Sequence, residues 1–196
     1  ADGSGTPESL LVATGSRYAA SITPKGIVVF WEAGAQNSGI RAMRLDSAPA
    51  ARMIIPDAFQ ESAPALSPDG RWLAYQSSEP GRAEVYVRPF PGPGPRVPVS
   101  LNGGTEPCWS GDGRELFYRE GDAMMAASVR TQPAFAVTER RRLFSGAFLP
   151  GGSFREYDVT PDGRRFVMVR GGASTTSLAA VHGLLERLRY DERRRR

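Results

Sequence analysis

Four short apolar runs recur along the chain with no polar alternation inside them, at residues 27–31, 72–75, 116–118 and 166–169. They are rich in β-branched and aromatic residues, which suits strands covered on both faces. Each run follows a polar turn phrase. The phrases are Thr23-Pro24-Lys25-Gly26, Ser67-Pro68-Asp69-Gly70, Ser110-Gly111-Asp112-Gly113 and Thr160-Pro161-Asp162-Gly163, spaced 44, 43 and 50 residues apart. The pairs Asp69-Gly70, Asp112-Gly113 and Asp162-Gly163 read as tight structural turns. Both residue types accept positive φ, and Asp can bond its own backbone.

The order of events within a period is constant. A polar loop such as 77–82 follows the apolar run, then a third strand at 84–88 or 124–129, then a weaker outer strand at 96–100 or 142–144. Pro98 belongs on an edge strand, where its missing N–H costs no ladder bond. A period in the forties with about four strands is the signature of β-propeller blades. Units begin near residues 15, 61, 105 and 154. Residues 8–13 read as a lone outer strand, the last unit supplies three strands ending near 177–181, and a short amphipathic helix starts at Leu184. The expected fold is therefore an all-β propeller of about four four-stranded blades over residues 1–190, with a short C-terminal helix and a disordered basic tail at 191–196. The N-terminal strand or another chain would complete the last blade and remove its exposed edges.

Composition supports this picture: 22 glycines and 16 prolines fit many turns and few long helices. No stretch approaches 18 consecutive apolar residues, so no transmembrane segment is expected, and nothing at the N-terminus reads as a signal peptide. The net charge of +4 comes from the last ten residues, where six arginines face Asp191 and Glu192, and the remainder of the chain is neutral. The tail reads as solvated, with no nucleic-acid partner expected. Cys108 is the only cysteine and reads as a small buried filler.

Residues 67–77 and 84–92, with Gly103-Gly104-Thr105-Glu106-Pro107-Cys108-Trp109-Ser110 and the strand 115–119, resemble TolB-type, WD-like propeller repeats. The combination is most similar to the C-terminal propeller of bacterial eukaryotic-type serine/threonine protein kinases. The resemblance covers roughly residues 15–190. It implies a recognition or sensor module in an extracytoplasmic or periplasmic setting. The sequence departs from those families: no kinase catalytic motif is present, Lys25 stands where the turn Asp would be, and Gly111 where its proline would be. The families also have more blades than this chain supplies.

No catalytic constellation emerges from the residues. His182 is the only histidine, and no Gly-x-Ser-x-Gly elbow accompanies it. One His and one Cys are too few for zinc, and the Asp-Gly turns lack the alternating ligands of a calcium loop. No metal or cofactor is expected. Glu61, Glu106 and Glu156 precede the turns at similar spacing, so as inner-strand ends they would approach one channel mouth and bind a cation or a basic peptide. The alternative is that they pair with neighbours such as Arg155. Trp31, Trp72 and Trp109 fall at the apolar runs and read as packing between blades. Phe90, in the proline-rich stretch 89–95, is a contact residue if that loop stands proud. The resulting expectation is a non-catalytic binding platform for a protein, peptide or cell-envelope ligand, with Glu61, Glu106, Glu156, Arg155 and Phe90 as candidate contacts. Two alternatives stand beside it: a subunit that self-assembles as a homo-oligomer through unpaired blade edges, and the propeller part of a hydrolase.

Overall fold

In the computed structural model, which describes residues 9–11, 15–34, 38–47, 50–56, 58–149, 151–171 and 176–181, each turn phrase closes through its own side chains. The Ser67 hydroxyl donates to Asp69 Oδ1 (2.6 Å) and accepts the Trp72 N–H (3.0 Å), while the Arg71 N–H donates to Asp69 Oδ1 (3.0 Å). The same three bonds recur around Ser110 and Asp112, and around Thr160 and Asp162. Gly70, Gly113 and Gly163 sit at φ of 71°, 70° and 70°, where a β-carbon would be strained. With Lys25 in place of the Asp, the first copy keeps only the hydroxyl bond, from the Ile27 N–H to Thr23 Oγ1 (3.2 Å). It closes in one residue fewer than its relatives.

These turns join strands into four antiparallel sheets in chain order. The first sheet holds β1 (Ser16–Ile22), β2 (Ile27–Ala33), β3 (Gly39–Arg44) and β4 (Arg52–Pro56). The second holds β5 (Ser62–Leu66), β6 (Trp72–Ser77), β7 (Glu84–Pro89) and β8 (Val97–Pro98), and the third β9 (Thr105–Trp109), β10 (Glu115–Glu120), β11 (Ala123–Arg130) and β12 (Ala136–Ser145). The fourth has three strands among the described residues: β13 (Tyr157–Val159), β14 (Phe166–Gly171) and β15 (Thr176–Val181). Pro98 lies in the outermost strand of its sheet, opposite Tyr86. The expected outer strands differ in length: the second sheet's shrinks to two residues, whereas β12 runs for ten.

The sheets stand as propeller blades, with β5 packed on β1, β2 and β3, and β9 packed on β5, β6 and β7. Apolar side chains between blades hold them together. Val29, Ile40, Leu66, Leu73 and Tyr75 fill the first junction; Val85, Val87, Trp109, Leu116 and Tyr118 fill the second; Phe117, Met124, Tyr157, Phe166 and Met168 fill the third. Each fully buried aliphatic side chain contributes about 1.5–3 kcal/mol. Trp109 also donates its indole N–H to the Ala65 carbonyl (3.1 Å), tying blade three to blade two. Cys108 is buried in the third junction, and burial pushes its thiol up to about 11.

Two expectations change. Strand β14 is covered on one face only: Phe166 and Met168 turn toward blade three, while Val167 is 47% exposed. A blade with one packed neighbour buries one face. Residues 9–11 form no strand, and the rest of the expected N-terminal strand lies outside the described residues, as do the helix from Leu184, the basic tail and His182.

Candidate functional site

Three buried carboxylates pin the linkers between blades. Glu61 Oε2 accepts N–H from Ala58 (2.8 Å) and Phe59 (2.7 Å), and its Oε1 accepts the Ser77 hydroxyl (3.1 Å). Glu84 accepts the Gly103 N–H (2.9 Å), the Ser100 hydroxyl and the Arg82 guanidinium (2.6 Å). Burial works against the Glu84 anion, but the Ser100, Arg82 and Gly103 donors outweigh it and hold the carboxyl below its usual range. Glu106, wholly buried, accepts N–H from Gly151 (2.9 Å) on Oε1 and from Glu156 (2.8 Å) on Oε2. For Glu106 burial wins: it raises the carboxyl despite those two N–H groups and the Arg119 charge.

Glu106 thereby fixes the longest linker, between β12 and β13. This linker crosses toward the propeller axis: the Ala63 N–H donates to the Ser153 carbonyl (3.0 Å), and the Gln76 side chain donates to the Gly152 carbonyl (2.9 Å). Gly151 fits only because it lacks a side chain. A β-carbon there would lie 2.2 Å from the Phe154 carbonyl oxygen and 2.9 Å from Glu106 Oε2.

The crossing linker forms one wall of an axial cavity of about 590 Å³. Every blade contributes to the lining, through Arg17, Tyr18 and Trp31, Ala63 and Pro64, Pro107, and finally Tyr157 and Asp158. Tyr18 stacks between Trp31 (centroids 5.3 Å apart) and Phe154 (5.6 Å), forming a three-ring ladder. Tyr18 and Phe154 are 39% and 44% exposed. Cations flank the ladder. Arg17 pairs with Glu32 (3.1 Å), while Arg155 donates to the Tyr157 carbonyl (2.8 Å) and to Asp158 (3.3 Å). Two donors in this wall, Trp31 Nε1 and Arg17 Nε, are buried without a hydrogen-bond partner. The cavity therefore offers apolar ring faces, a surface for ligands with flat or aliphatic parts.

The candidate residues from the sequence divide accordingly. Arg155 lines the cavity. Glu61 and Glu106 lie inside the structure as linker anchors, and Glu156 is half-buried with its own N–H on Glu106. Phe90 is half-buried against the junction of blades one and two, on the Asp-Gly turn side, with its N–H on the Arg71 carbonyl (2.8 Å). Trp72 and Trp109 pack at a blade junction as expected, both against Phe135, whereas Trp31 faces the cavity. Tyr18, Phe154 and Arg17 were not singled out in the sequence. One signal pointed to the linker: the third turn spacing, 50 residues against 43 and 44, contains it. Among the described residues, no group of three or more His, Cys, Asp or Glu side chains is arranged to hold a metal ion, and no helix is long and apolar enough to cross a membrane.

No protein-family model and no curated protein sequence matches this chain. Solved structures do resemble it. TolB from Acinetobacter baumannii aligns at a TM-score of 0.69 and 18% identity, over 90% of this chain and 43% of that one. An oligogalacturonate lyase solved in complex with manganese aligns at 0.62 and 14% identity, covering 90% of this chain and 53% of the lyase. A puromycin-hydrolyzing peptidase of Mycobacterium tuberculosis aligns at 0.57 and 18% identity, covering 82% and 28%. At these identities the likeness is one of fold, a TolB-like β-propeller, and the chain spans less than half the length of that TolB.

Proposed function

We propose that this chain is a non-catalytic recognition module that grips an extended protein or peptide segment over the axial cavity. The observation that carries the reading is the ladder of Trp31, Tyr18 and Phe154, exposed at a cavity to which all four blades contribute. Aromatic side chains of this kind anchor interfaces because they offer large rigid area at little entropic cost. The non-catalytic half rests on chemistry: Asp158, the carboxylate among the described lining residues, is tied to Arg155, and the buried Glu106 serves backbone N–H groups. By resemblance to TolB-type repeats and kinase-attached propellers, the setting would be extracytoplasmic.

The test is selection of peptides from a random displayed library on the whole chain, followed by titration against variants. Tyr18→Ala and Phe154→Ala should each weaken a selected peptide by roughly 30-fold, a loss of about 2 kcal/mol. Trp31→Phe should bind but lose most of the ligand-induced change in tryptophan emission. A selected peptide whose affinity ignores all three substitutions would sink the cavity reading. A second reading, self-assembly, is favoured by the exposed Val167 on the far face of β14. Light scattering over a wide concentration range checks it, and a mass fixed at 21.2 kDa would exclude it.

A further inference from the structure

The neutrality of the chain before its tail conceals two opposed faces. The four turn phrases sit side by side on the face away from the linkers. A β-carbon on Gly70 would lie 3.6 Å from the Thr23 methyl, one on Gly113 3.5 Å from Pro68, and the Gly111 N–H donates to the Pro161 carbonyl (3.2 Å). This row carries Lys25, Arg71, Arg114, Arg164 and Arg165, all exposed, and Arg130 at the end of β11 joins the same side. Its acids are Asp69, Asp112 and Asp162, and Asp46 in the β3–β4 turn beside it is paired with Arg44. Only Arg71 bonds its own turn Asp closely (2.9 Å); Arg114, with its side chain 85% exposed, is 3.9 Å away. Lys25 occupies the position where the other turns hold the carboxylate, so the first turn has an uncancelled cation. The opposite end of the blades carries Glu79, Glu120, Asp122 and Glu156 together with Arg17, Arg82, Arg155 and Arg170, so cations are in no surplus there.

The basic face also has an apolar corner. Ile22 at the end of β1 is 61% exposed, and Leu45 in the β3–β4 turn is 40% exposed. Both lie at one edge of blade one, where the Leu45 N–H bonds the Gly26 carbonyl (2.9 Å), with Lys25 on one side and the Arg44–Asp46 ion pair on the other. Large aliphatic side chains at the margin of a face with a surplus of cations are what an anionic bilayer interface accommodates: the cations meet the headgroups and the apolar tip enters below them.

We propose that the Asp-Gly turn face docks on an anionic lipid membrane, leaving the linker face and its axial cavity turned away and free. Arginine favours phosphate oxygens through its planar fork of donors. The turns sit side by side on one face, so their side chains can engage one surface together.

The experiment is co-sedimentation of the full chain with vesicles of phosphatidylcholine, with and without about 30% phosphatidylserine. The expected result is binding to the anionic vesicles alone, released when NaCl rises from about 0.1 M to about 0.5 M. Replacing Arg114, Arg164 and Arg165 together with Gln should lower partitioning on the order of 100-fold. Ile22→Ser should lower it about tenfold. Neutralising the exposed Arg142 and Arg170, away from the turn row, should change it less than threefold. Three outcomes overturn the proposal: equal binding to neutral vesicles; a turn variant that binds like the parent, which would put the attraction in the arginine-rich residues 187–196; or duplex DNA that displaces the protein from vesicles and is itself released by the turn substitutions.

Discussion

Replacing Glu106 with Gln keeps the side chain's size and removes one acceptor from the buried anchor of the crossing linker. The carboxylate takes N–H groups from Gly151 (2.9 Å) and Glu156 (2.8 Å) on separate oxygens. An amide can accept one of them, and its NH₂ then faces the other, whereas the hydroxyl oxygen of a protonated carboxyl keeps a lone pair for it, so the amide leaves a buried N–H unpaired at about 1–3 kcal/mol whichever form Glu106 takes. A loss near 2 kcal/mol lowers the thermal midpoint of a chain this size by roughly 4–8 °C. The pH dependence adds a sign. Burial raises the Glu106 carboxyl in the folded chain. Its contribution to stability is therefore complete below the unfolded pKa and is lost as pH rises through the folded one. Gln does not titrate. The penalty of the substitution should thus be largest in acid and shrink as pH rises across the Glu106 titration. Urea unfolding followed by tryptophan emission, at several values between about pH 4 and about pH 8, measures both effects. A variant within about 0.5 kcal/mol of the parent throughout, or a gap that widens with pH, would refute the reasoning. Because Gly151 and Glu156 bracket Phe154 and Arg155, the same variant should also bind selected peptides more weakly.

Gly151→Ala forces a β-carbon to 2.2 Å from the Phe154 carbonyl oxygen, so it should displace the linker and cost about 2–4 kcal/mol, read by the same unfolding assay. Asp112→Ala removes the acceptor of the Ser110 hydroxyl and the Arg114 N–H and should cost about 1 kcal/mol. The Ser110 hydroxyl bond, then the Arg114 N–H, hold the Asp112 carboxyl below its usual range. Its stabilisation is present above the unfolded pKa and lost as pH falls through the folded one, so the Asp112→Ala penalty should vanish in strong acid, opposite in sense to Glu106. Trp109→Phe should cost about 1–3 kcal/mol through the lost bond to the Ala65 carbonyl and the void left by the smaller ring, measured by calorimetry. Cys108, buried with its thiol pushed up to about 11, should resist a thiol reagent at neutral pH until urea unfolds the chain.

What is local was already legible in the order of residues. The Asp-Gly turns close with bonds spanning two to five residues, so Ser67, Asp69 and Gly70 act alike wherever the chain goes, and the apolar runs after them become strands for the same reason. Blade order and the packing of Cys108, Trp72 and Trp109 at blade junctions followed from that repetition. Tertiary structure decided everything that depends on residues far apart in the chain. Glu106 reads as a channel-mouth acid until the linker 50 residues later delivers the Glu156 N–H to it. Trp31 reads as packing until Tyr18 and Phe154, from opposite ends of the described chain, stack into one ladder with it. The two-sided covering expected of β14 fails because the burial of Val167 depends on a neighbouring blade, and no local pattern encodes that neighbour. Charge shows the same division. A chain neutral before its tail becomes polar when the fold sends all four turn phrases to one side and every inter-blade linker to the other, because antiparallel strands alternate direction while a propeller keeps its blades in register.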